Sequence, residues 1–237
     1  MVKLKETAFR RKEKMKRFWQ GTVLLAALLL TGCQQRNVSS QQRPRETAAQ
    51  KAAKKRKLAA QKARIYIYKG KISTSDQKQL DKLDVAAFGD SVMKGCAPAY
   101  QQLFPKISID AQESRQAAAL PGLAAGLPAS KKLVLIGLGT NGYLEKSTIT
   151  QAVKELKGRE IYWINNNVDR DWEESNNELI AEAAKKYKNV HMIDWKNASM
   201  DHDEWFADGI HPTEDGIKAM TTLVARTILV DEGLKKF

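Results

Sequence analysis

The segment DVAAFGDSV, residues 84–92, joins a short apolar run to a Gly-Asp-Ser turn. Such a run, bounded by turn residues, is typical of a buried strand, and longer helical patterns separate it from similar runs further on. The predicted strands are Asp84–Phe88, Ile107–Ile109, Leu133–Gly137, Ile161–Ile164 and Val190–Ile193. The predicted helices are Pro98–Phe104, Ser114–Leu127, Thr148–Lys157, Trp172–Lys188 and Thr213–Val230. This alternation predicts one α/β domain over residues 84–237, with a five-stranded, mostly parallel sheet.

The net charge of +13 over 237 residues is unevenly distributed. Residues 1–84 hold 22 Lys and Arg against 6 Asp and Glu, whereas residues 85–237 hold 18 against 21. The slightly acidic α/β domain is therefore not expected to bind nucleic acid. Binding through basic residues 36–71 stays open as an alternative, and it would require a cytosolic chain.

The N-terminus has the pattern of an export signal. Basic residues 3–17 precede an apolar run, Val23–Leu30, which is too short to span a bilayer and matches the apolar region of a secretory signal. The tetrapeptide Leu30-Thr31-Gly32-Cys33 resembles the lipobox of bacterial lipoproteins. The resemblance implies a signal peptide over residues 1–32 and a lipidated Cys33 that holds the protein on the outer face of the cell membrane. A plain cleaved signal or an uncleaved anchor is the alternative.

Residues 33–83 are interpreted as a basic, flexible tether, because their first half is rich in Gln, Ala, Lys and Arg and contains few large apolar side chains. The cluster Lys54-Lys55-Arg56-Lys57 is suited to contact with anionic lipid or an anionic wall polymer. A solvated spacer is the alternative.

Ser91 directly follows the first predicted strand, at the sheet edge where ligands bind in open α/β folds. A serine hydroxyl becomes a good nucleophile when a base removes its proton, and histidine is the side chain best suited to do so near neutral pH. His211 is the best candidate because Asp208, three residues earlier, can fix its tautomer. Thr213 is expected to cap the last helix behind this loop.

The other two histidines favour simpler interpretations. His191 lies within an apolar run and is expected to be a packed or surface histidine. His202 lies among Asp201, Asp203 and Glu204, where either a cation site or a solvated loop is conceivable, and the loop is favoured.

Three short blocks occur in order: Gly89-Asp90-Ser91, Gly139-Thr140-Asn141 and Asp208-Gly209-Ile210-His211. Together they resemble the SGNH (GDSL-like) serine hydrolase family over about residues 84–232. The resemblance implies a three-layer, flavodoxin-like α/β/α sandwich. It also implies that Ser91 is the nucleophile, that Asp208 and His211 complete the triad, and that the Asn141 amide donates to an oxyanion together with the Ser91 N–H. No metal or organic cofactor is implied.

One block departs from the family pattern. The family places a glycine, whose N–H completes the oxyanion hole, in a stretch that corresponds here to residues 109–116 and contains none. The N–H of Ser114 or of Arg115 is the expected substitute. Cys96, five residues after Ser91, is expected to be a small buried thiol rather than a nucleophile.

The stretch without this glycine resembles the corresponding stretch in the extracellular catalytic domains of peptidoglycan O-acetyltransferases. The segment Val168-x-Arg170-x-Trp172-Glu173 also resembles a segment of those domains. This resemblance implies an esterase or O-acyltransferase that acts on an envelope glycan or another acyl ester. In that branch a multi-span membrane domain precedes the catalytic one. We therefore expect either a separate membrane protein that supplies acyl groups or simple ester hydrolysis. The alternative is an inactive SGNH-fold lipoprotein that serves as a binding scaffold.

Three aromatic residues leave two interpretations open. They either line a sugar-binding cleft or belong to the ordinary core and its rim: Tyr143, Trp163 and Trp172.

Overall fold

The computed structural model describes Lys51 and residues 70–234. The predicted signal peptide, Cys33 and the tether up to residue 69, apart from Lys51, lie outside the described residues. Within the described residues, no helix is both long and apolar enough to cross a membrane.

The sheet has five strands that pair in parallel in the order β2-β1-β3-β4-β5. They are β1 Val85–Gly89, β2 Ser108–Ala111, β3 Leu133–Gly137, β4 Glu160–Ile164 and β5 Val190–Ile193. All five lie within two residues of the predicted strands. The chain leaves β1 for β2 on one side and returns to β3 on the other. Ligands bind at such a switch point in doubly wound sheets, beyond the carboxyl ends of the strands.

Seven α-helices join or flank these strands in residues 70–234. They are α1 Thr74–Leu80, α2 Ser91–Leu103, α3 Leu120–Ala125, α4 Lys146–Glu155, α5 Glu173–Lys186, α6 Trp195–Ser199 and α7 Glu214–Asp231. Two short 3₁₀ turns, Ala117–Ala119 and Asp203–Trp205, complete the described elements.

Two hydrophobic cores, one on each face of the sheet, make the three layers. On one face, residues of α1, α2, α6 and α7 pack against Ala87, Leu135 and Tyr162. On the other, residues of α3, α4 and α5 pack against Ile136 and Trp163. Because both faces are covered, the strands carry nearly continuous apolar runs. The predicted α/β/α sandwich is confirmed.

The folded domain begins before the expected residue 84. Helix α1 lies within the segment interpreted as tether, and its Leu80 is fully buried in the core beside α7. Ser73 accepts the N–H of Asp76 while Asp76 accepts the N–H of Ser73, which is a capping box. The tether prediction is therefore wrong for residues 73–83, because a local cap and one buried leucine order this lysine-containing segment.

Two predicted helices have different bounds. Helix α2 begins at Ser91 instead of Pro98, because the buried Asp90 side chain caps it by accepting the N–H of Val92. The helix predicted over Ser114–Leu127 is reduced to one 3₁₀ turn and α3. Ser114 has φ of 58°, which is incompatible with a right-handed helix there.

Candidate active site

Ser91 is the first residue of α2, directly beyond the carboxyl end of β1. The turn is tight, since a Cβ on Gly89 would lie only 2.2 Å from Cβ of Met93. Asp90 is fully buried, and this burial raises the pKa of its carboxyl group while the helix N–H groups partly offset the shift. Asp90 accepts the N–H of Val92 at 3.0 Å. The Ser91 N–H, at the first helical position, has no acceptor inside the helix.

His211 joins Ser91 and Asp208 in one hydrogen-bonded chain. Its Nε2 lies 2.9 Å from Oγ of Ser91, and its Nδ1 lies 2.8 Å from Oδ2 of Asp208. The other carboxylate oxygen of Asp208 accepts the N–H groups of Ile210 and His211. Hydrogen bonds from His211 lower the pKa of Asp208 to about 2. Asp208 is therefore an anion at neutral pH and holds a proton-bearing Nδ1, which leaves Nε2 free to accept the serine proton.

The loop that carries His211 is fixed at both ends. The His211 carbonyl accepts the N–H of Ala207, and the Trp205 carbonyl accepts the N–H of Thr213. Thr213 caps α7 by accepting the N–H of Gly216 at 3.3 Å, as the sequence predicts. Under this loop the Trp205 ring stacks on Trp195 at 5.8 Å. The imidazole is thus positioned by a capped helix and an aromatic stack.

Asn141 lies in the loop that follows β3 and reaches the same groove as Ser91. Its amide nitrogen donates to the carbonyl of Arg115 at 3.2 Å, which orients the side chain. Gly139 and Gly142 of this loop have φ of 131° and 147°, values that favour glycine.

Asn176 of α5 holds the Asn141 loop in shape. It is fully buried, donates to the carbonyls of Gly139 and Gly142, and accepts the N–H of Leu144 at 2.7 Å. One side chain therefore satisfies three backbone groups of this loop. The sequence-based interpretation missed Asn176, because an asparagine inside a helix pattern carries no signal of a contact with a loop about 35 positions earlier.

Ser114 lies in the stretch 109–116, where the sequence resemblance leads one to expect a glycine. It is the only non-glycine residue with positive φ among residues 70–234. The N–H of the next residue, Arg115, is already donated to the Gln112 carbonyl at 3.3 Å. The Arg115 guanidinium, which is mostly buried, anchors the turn by donating to the Asp110 carbonyl and carboxylate at 2.6 and 2.7 Å.

An open groove of about 590 Å³ connects these groups. Lys94 and Glu113 form an exposed ion pair at 2.9 Å along it, and Lys94 lowers the pKa of Glu113. The residues that line the groove are Ser91, Lys94, Gly95, Glu113, Ser114, Asn141 and His211. The structure thus brings Ser91, Ser114, Asn141 and His211 to one groove, and Asp208 is joined to them through its contact with His211.

The remaining candidates lie elsewhere. The His191 ring stacks on Tyr162, and its Nε2 lies 2.8 Å from the Glu160 carboxylate. The His202 ring stacks on Trp205, and its Nδ1 lies 2.8 Å from the Glu204 carboxylate. Within residues 70–234, no cluster of three or more His, Cys, Asp or Glu side chains could hold a metal ion. Cys96 is buried, and desolvation raises its thiol pKa to about 12, in keeping with a packing role.

The three aromatic candidates divide between core and surface. Trp163 is fully buried and donates its indole N–H to the Leu138 carbonyl, so of the two alternatives it belongs to the core. Tyr143 is 66% exposed and meets the partly buried Trp172 edge to face.

The strand order and the two covered faces define a doubly wound α/β/α sandwich with the groove at its switch point, a fold shared with solved SGNH hydrolases. The catalytic domain of peptidoglycan O-acetyltransferase A (OatA) from Streptococcus pneumoniae superposes with a TM-score of 0.53 and 24% identity, covering 62% of this chain and 91% of that domain. A family 3 carbohydrate esterase from Clostridium thermocellum gives a TM-score of 0.51 and 14% identity, covering 65% of this chain and 99% of the esterase. These likenesses show the shared fold.

In sequence, the chain is similar to O-acetyltransferase OatA of Staphylococcus aureus, with 34% identity over 161 residues, which are 66% of this chain and 27% of that protein. It is also 34% identical to YrhL of Bacillus subtilis over 149 residues, 61% of this chain and 24% of YrhL. The chain therefore spans about a quarter of the length of these curated relatives. No family model matches it.

Proposed function

We propose that this protein is a serine esterase or O-acyltransferase that handles small acyl groups, acetyl above all, on a cell-envelope glycan. The single observation that carries the proposal is the continuous hydrogen-bonded chain from Ser91 through His211 to Asp208. The relatives named O-acetyltransferases support the choice of acyl group, and the name of the pneumococcal enzyme supports the glycan.

In the first half-reaction, Nε2 of His211 takes the Ser91 proton as Oγ attacks the ester carbonyl. The imidazolium that forms is stabilised by the Asp208 carboxylate. The tetrahedral intermediate collapses when the leaving alcohol departs with the proton returned by His211. An acyl-serine on Ser91 remains.

In the second half-reaction, an incoming hydroxyl gives its proton to His211 as its oxygen attacks the acyl-serine. The bond between the acyl carbon and Oγ of Ser91 then breaks, and His211 returns the proton to Oγ. Water as acceptor yields the free acid, and a sugar hydroxyl yields a new ester. Both outcomes use the same three residues. The groove is open, so the acceptor that enters it decides between hydrolysis and transfer.

Three donors are proposed for the oxyanion. The Ser91 N–H lies at a helix start, where the helix dipole favours negative charge. Asn141 supplies a side-chain amide, oriented by the Arg115 carbonyl. Ser114 rather than Arg115 supplies the third N–H, since that of Arg115 is donated to Gln112 and the positive φ of Ser114 is the backbone state open to glycine.

The location of the enzyme follows from residues outside the described part. We propose that residues 1–32 direct export, that Cys33 is lipidated, and that a basic segment up to residue 69 lets the domain reach its substrate near the membrane. An acyl-donor protein in the membrane is a compatible partner. Metabolic labelling with a fatty acid tests the anchor: wild type should incorporate label in the membrane fraction, and Cys33→Ser should not.

The activity is tested by incubating purified protein with a soluble acetyl ester, with and without oligomers of N-acetylglucosamine. Acetylated oligomer indicates transfer, and acetate release alone indicates hydrolysis. Ser91→Ala is the matched control and should give neither product. If wild type releases acetate no faster than Ser91→Ala, the proposal is contradicted. That result would favour the alternative of a catalytically inactive scaffold protein.

A further inference from the structure

Tyr143 is a large aromatic side chain on the surface, two positions after the groove residue Asn141. At 66% it is the most exposed large hydrophobic residue among residues 70–234. Leaving an aromatic ring in water forgoes the free energy that its burial would provide. The ring lies in a loop that Asn176 holds by hydrogen bonds, and most of its surface is open to a ligand.

The Tyr143 ring is held in place before any ligand arrives. It meets the Trp172 ring at 5.7 Å between centroids and 60° between planes. Trp172 is itself fixed, because its indole N–H donates to the Thr140 carbonyl at 3.2 Å. The backbone next to Tyr143 is tied to Asn176 through Leu144 and Gly142. A ligand that stacks on this ring would therefore lose little free energy to ordering it.

The backbone of Tyr143 is also close to a residue of the groove. Tyr143 follows Asn141 by two positions, so their Cα atoms are at most about 7 Å apart. Asn141 lines the groove with Ser91 and His211. A ligand longer than one sugar ring that extends from the groove past Asn141 would meet Tyr143.

The surroundings fit a sugar better than a protein partner. The two residues after Leu144, Glu145 and Lys146, are exposed and polar, and no second large exposed apolar residue adjoins Tyr143 in sequence. A protein interface needs a wider, more continuous surface. A pyranose ring has one face of C–H groups, which suits a single aromatic ring, and a rim of hydroxyl groups, which suits polar neighbours.

We propose that Tyr143 forms a sugar subsite in which its exposed face stacks on a pyranose ring of the glycan, next to the ring that reacts at Ser91. This inference rests on the proposed function for the choice of ligand. The subsite would place the chain so that one hydroxyl points at Ser91, and it would favour oligomers over single sugars. Trp172 acts through Tyr143 as a positioning residue.

The test measures binding of N-acetylglucosamine oligomers by calorimetry in a Ser91→Ala background, so that no turnover interferes. Tyr143→Phe keeps the flat ring and should bind like the parent. Tyr143→Ala and Tyr143→Leu should each bind about five- to tenfold more weakly. The matched control is Tyr187→Ala. It alters a partly exposed tyrosine that directly follows α5 and lines a separate groove formed with α4, and it should bind like the parent.

Equal affinity of Tyr143→Ala, Tyr143→Leu and the parent would overturn the subsite. So would loss of a concentration-dependent dimer in Tyr143→Ala with unchanged affinity for the oligomers, because the ring would then serve protein contact. Release of acetate from a small ester is measured separately, with protein that retains Ser91. Failure of the subsite would change only the binding result, whereas failure of the proposed reaction would abolish acetate release.

Discussion

Nε2 of His211 lies 2.9 Å from Oγ of Ser91, although 120 residues separate them in the chain. The parallel sheet explains this contact, because it places the turn after β1 and the loop before α7 at one edge. In the proposed reaction, Ser91 is the proton donor of this pair and His211 is the acceptor.

Asn141 should contribute to the rate and hardly to substrate affinity. Its amide is proposed to contact the oxygen that becomes charged only during reaction, and removal of one such donor typically lowers kcat by about 10²–10³-fold. Asn141→Ala should therefore lower kcat for a soluble acetyl ester by this amount with little change in KM. Asn189→Ala, which removes an amide that contacts Arg159, serves as control and should retain full kcat. A rise in KM at unchanged kcat would show that Asn141 binds substrate instead.

Ser114 should tolerate glycine better than any branched residue. At φ of 58° a side chain adds steric strain of about 1–2 kcal/mol, which glycine avoids. Ser114→Gly should leave the free energy of unfolding unchanged or raise it by up to about 1 kcal/mol, Ser114→Ala should be neutral, and Ser114→Val should lower it by about 1–2 kcal/mol. Urea denaturation measures these differences. Greater stability of Ser114→Val than of Ser114→Gly would contradict the assigned backbone conformation.

Asn176 should be important for stability as well as activity. Asn176→Ala leaves the carbonyls of Gly139 and Gly142 and the N–H of Leu144 without their partner. Each buried orphan group costs about 1 kcal/mol or more, so unfolding free energy should fall by about 3 kcal/mol. The turnover rate should fall as well, because Asn141 lies in the loop released.

A matched comparison for Asn176 is Asn189→Ala, in which a single side chain–backbone bond to Arg159 is lost. It should cost about 1 kcal/mol at most. Equal destabilisation by the two substitutions would refute the proposed role of Asn176 as the residue that fixes the loop.

Asp208 should stabilise the fold in a pH-dependent manner. Hydrogen bonds from His211 depress its pKa in the folded state to about 2, from the ordinary value of 3.8. The stabilisation is therefore fully present above about pH 4 and is lost as the pH falls through about 2. The difference in unfolding free energy between wild type and Asp208→Asn at pH 3 should be about half that at pH 6. A difference that does not change with pH would show that the Asp208 charge is not involved.

The sequence predicts the strands and the location of the candidate site residues at one edge of the sheet, for physical reasons. Strands buried on both faces are continuous apolar runs, and Ser91, Asn141 and His211 all follow predicted strands or precede a predicted helix. Helix α1 was missed because its single buried leucine lies among lysines, although the capping box Ser73-x-x-Asp76 is visible in the sequence. The sequence leaves core and cleft open for Trp163, because one aromatic residue in a strand does not reveal which face it lies on or how deep.

The support of the site is less predictable than its reactive groups. The turn at Ser114 depends on the anchoring of Arg115 to Asp110, and the shape of the Asn141 loop depends on Asn176. Both are contacts between polar side chains and backbone groups that only the folded chain brings together. Local sequence patterns carry information on helix and strand periodicity and none on these pairings.

The central claim is that Ser91 is a nucleophile activated by His211, and covalent labelling with a fluorophosphonate probe tests it most directly. The probe should attach to Ser91 in wild type, as located by mass spectrometry of the labelled peptide. His211→Ala should label far more slowly, and Ser91→Ala should not label at all. The absence of label on folded wild-type protein, or equal labelling of Ser91→Ala, would contradict the account.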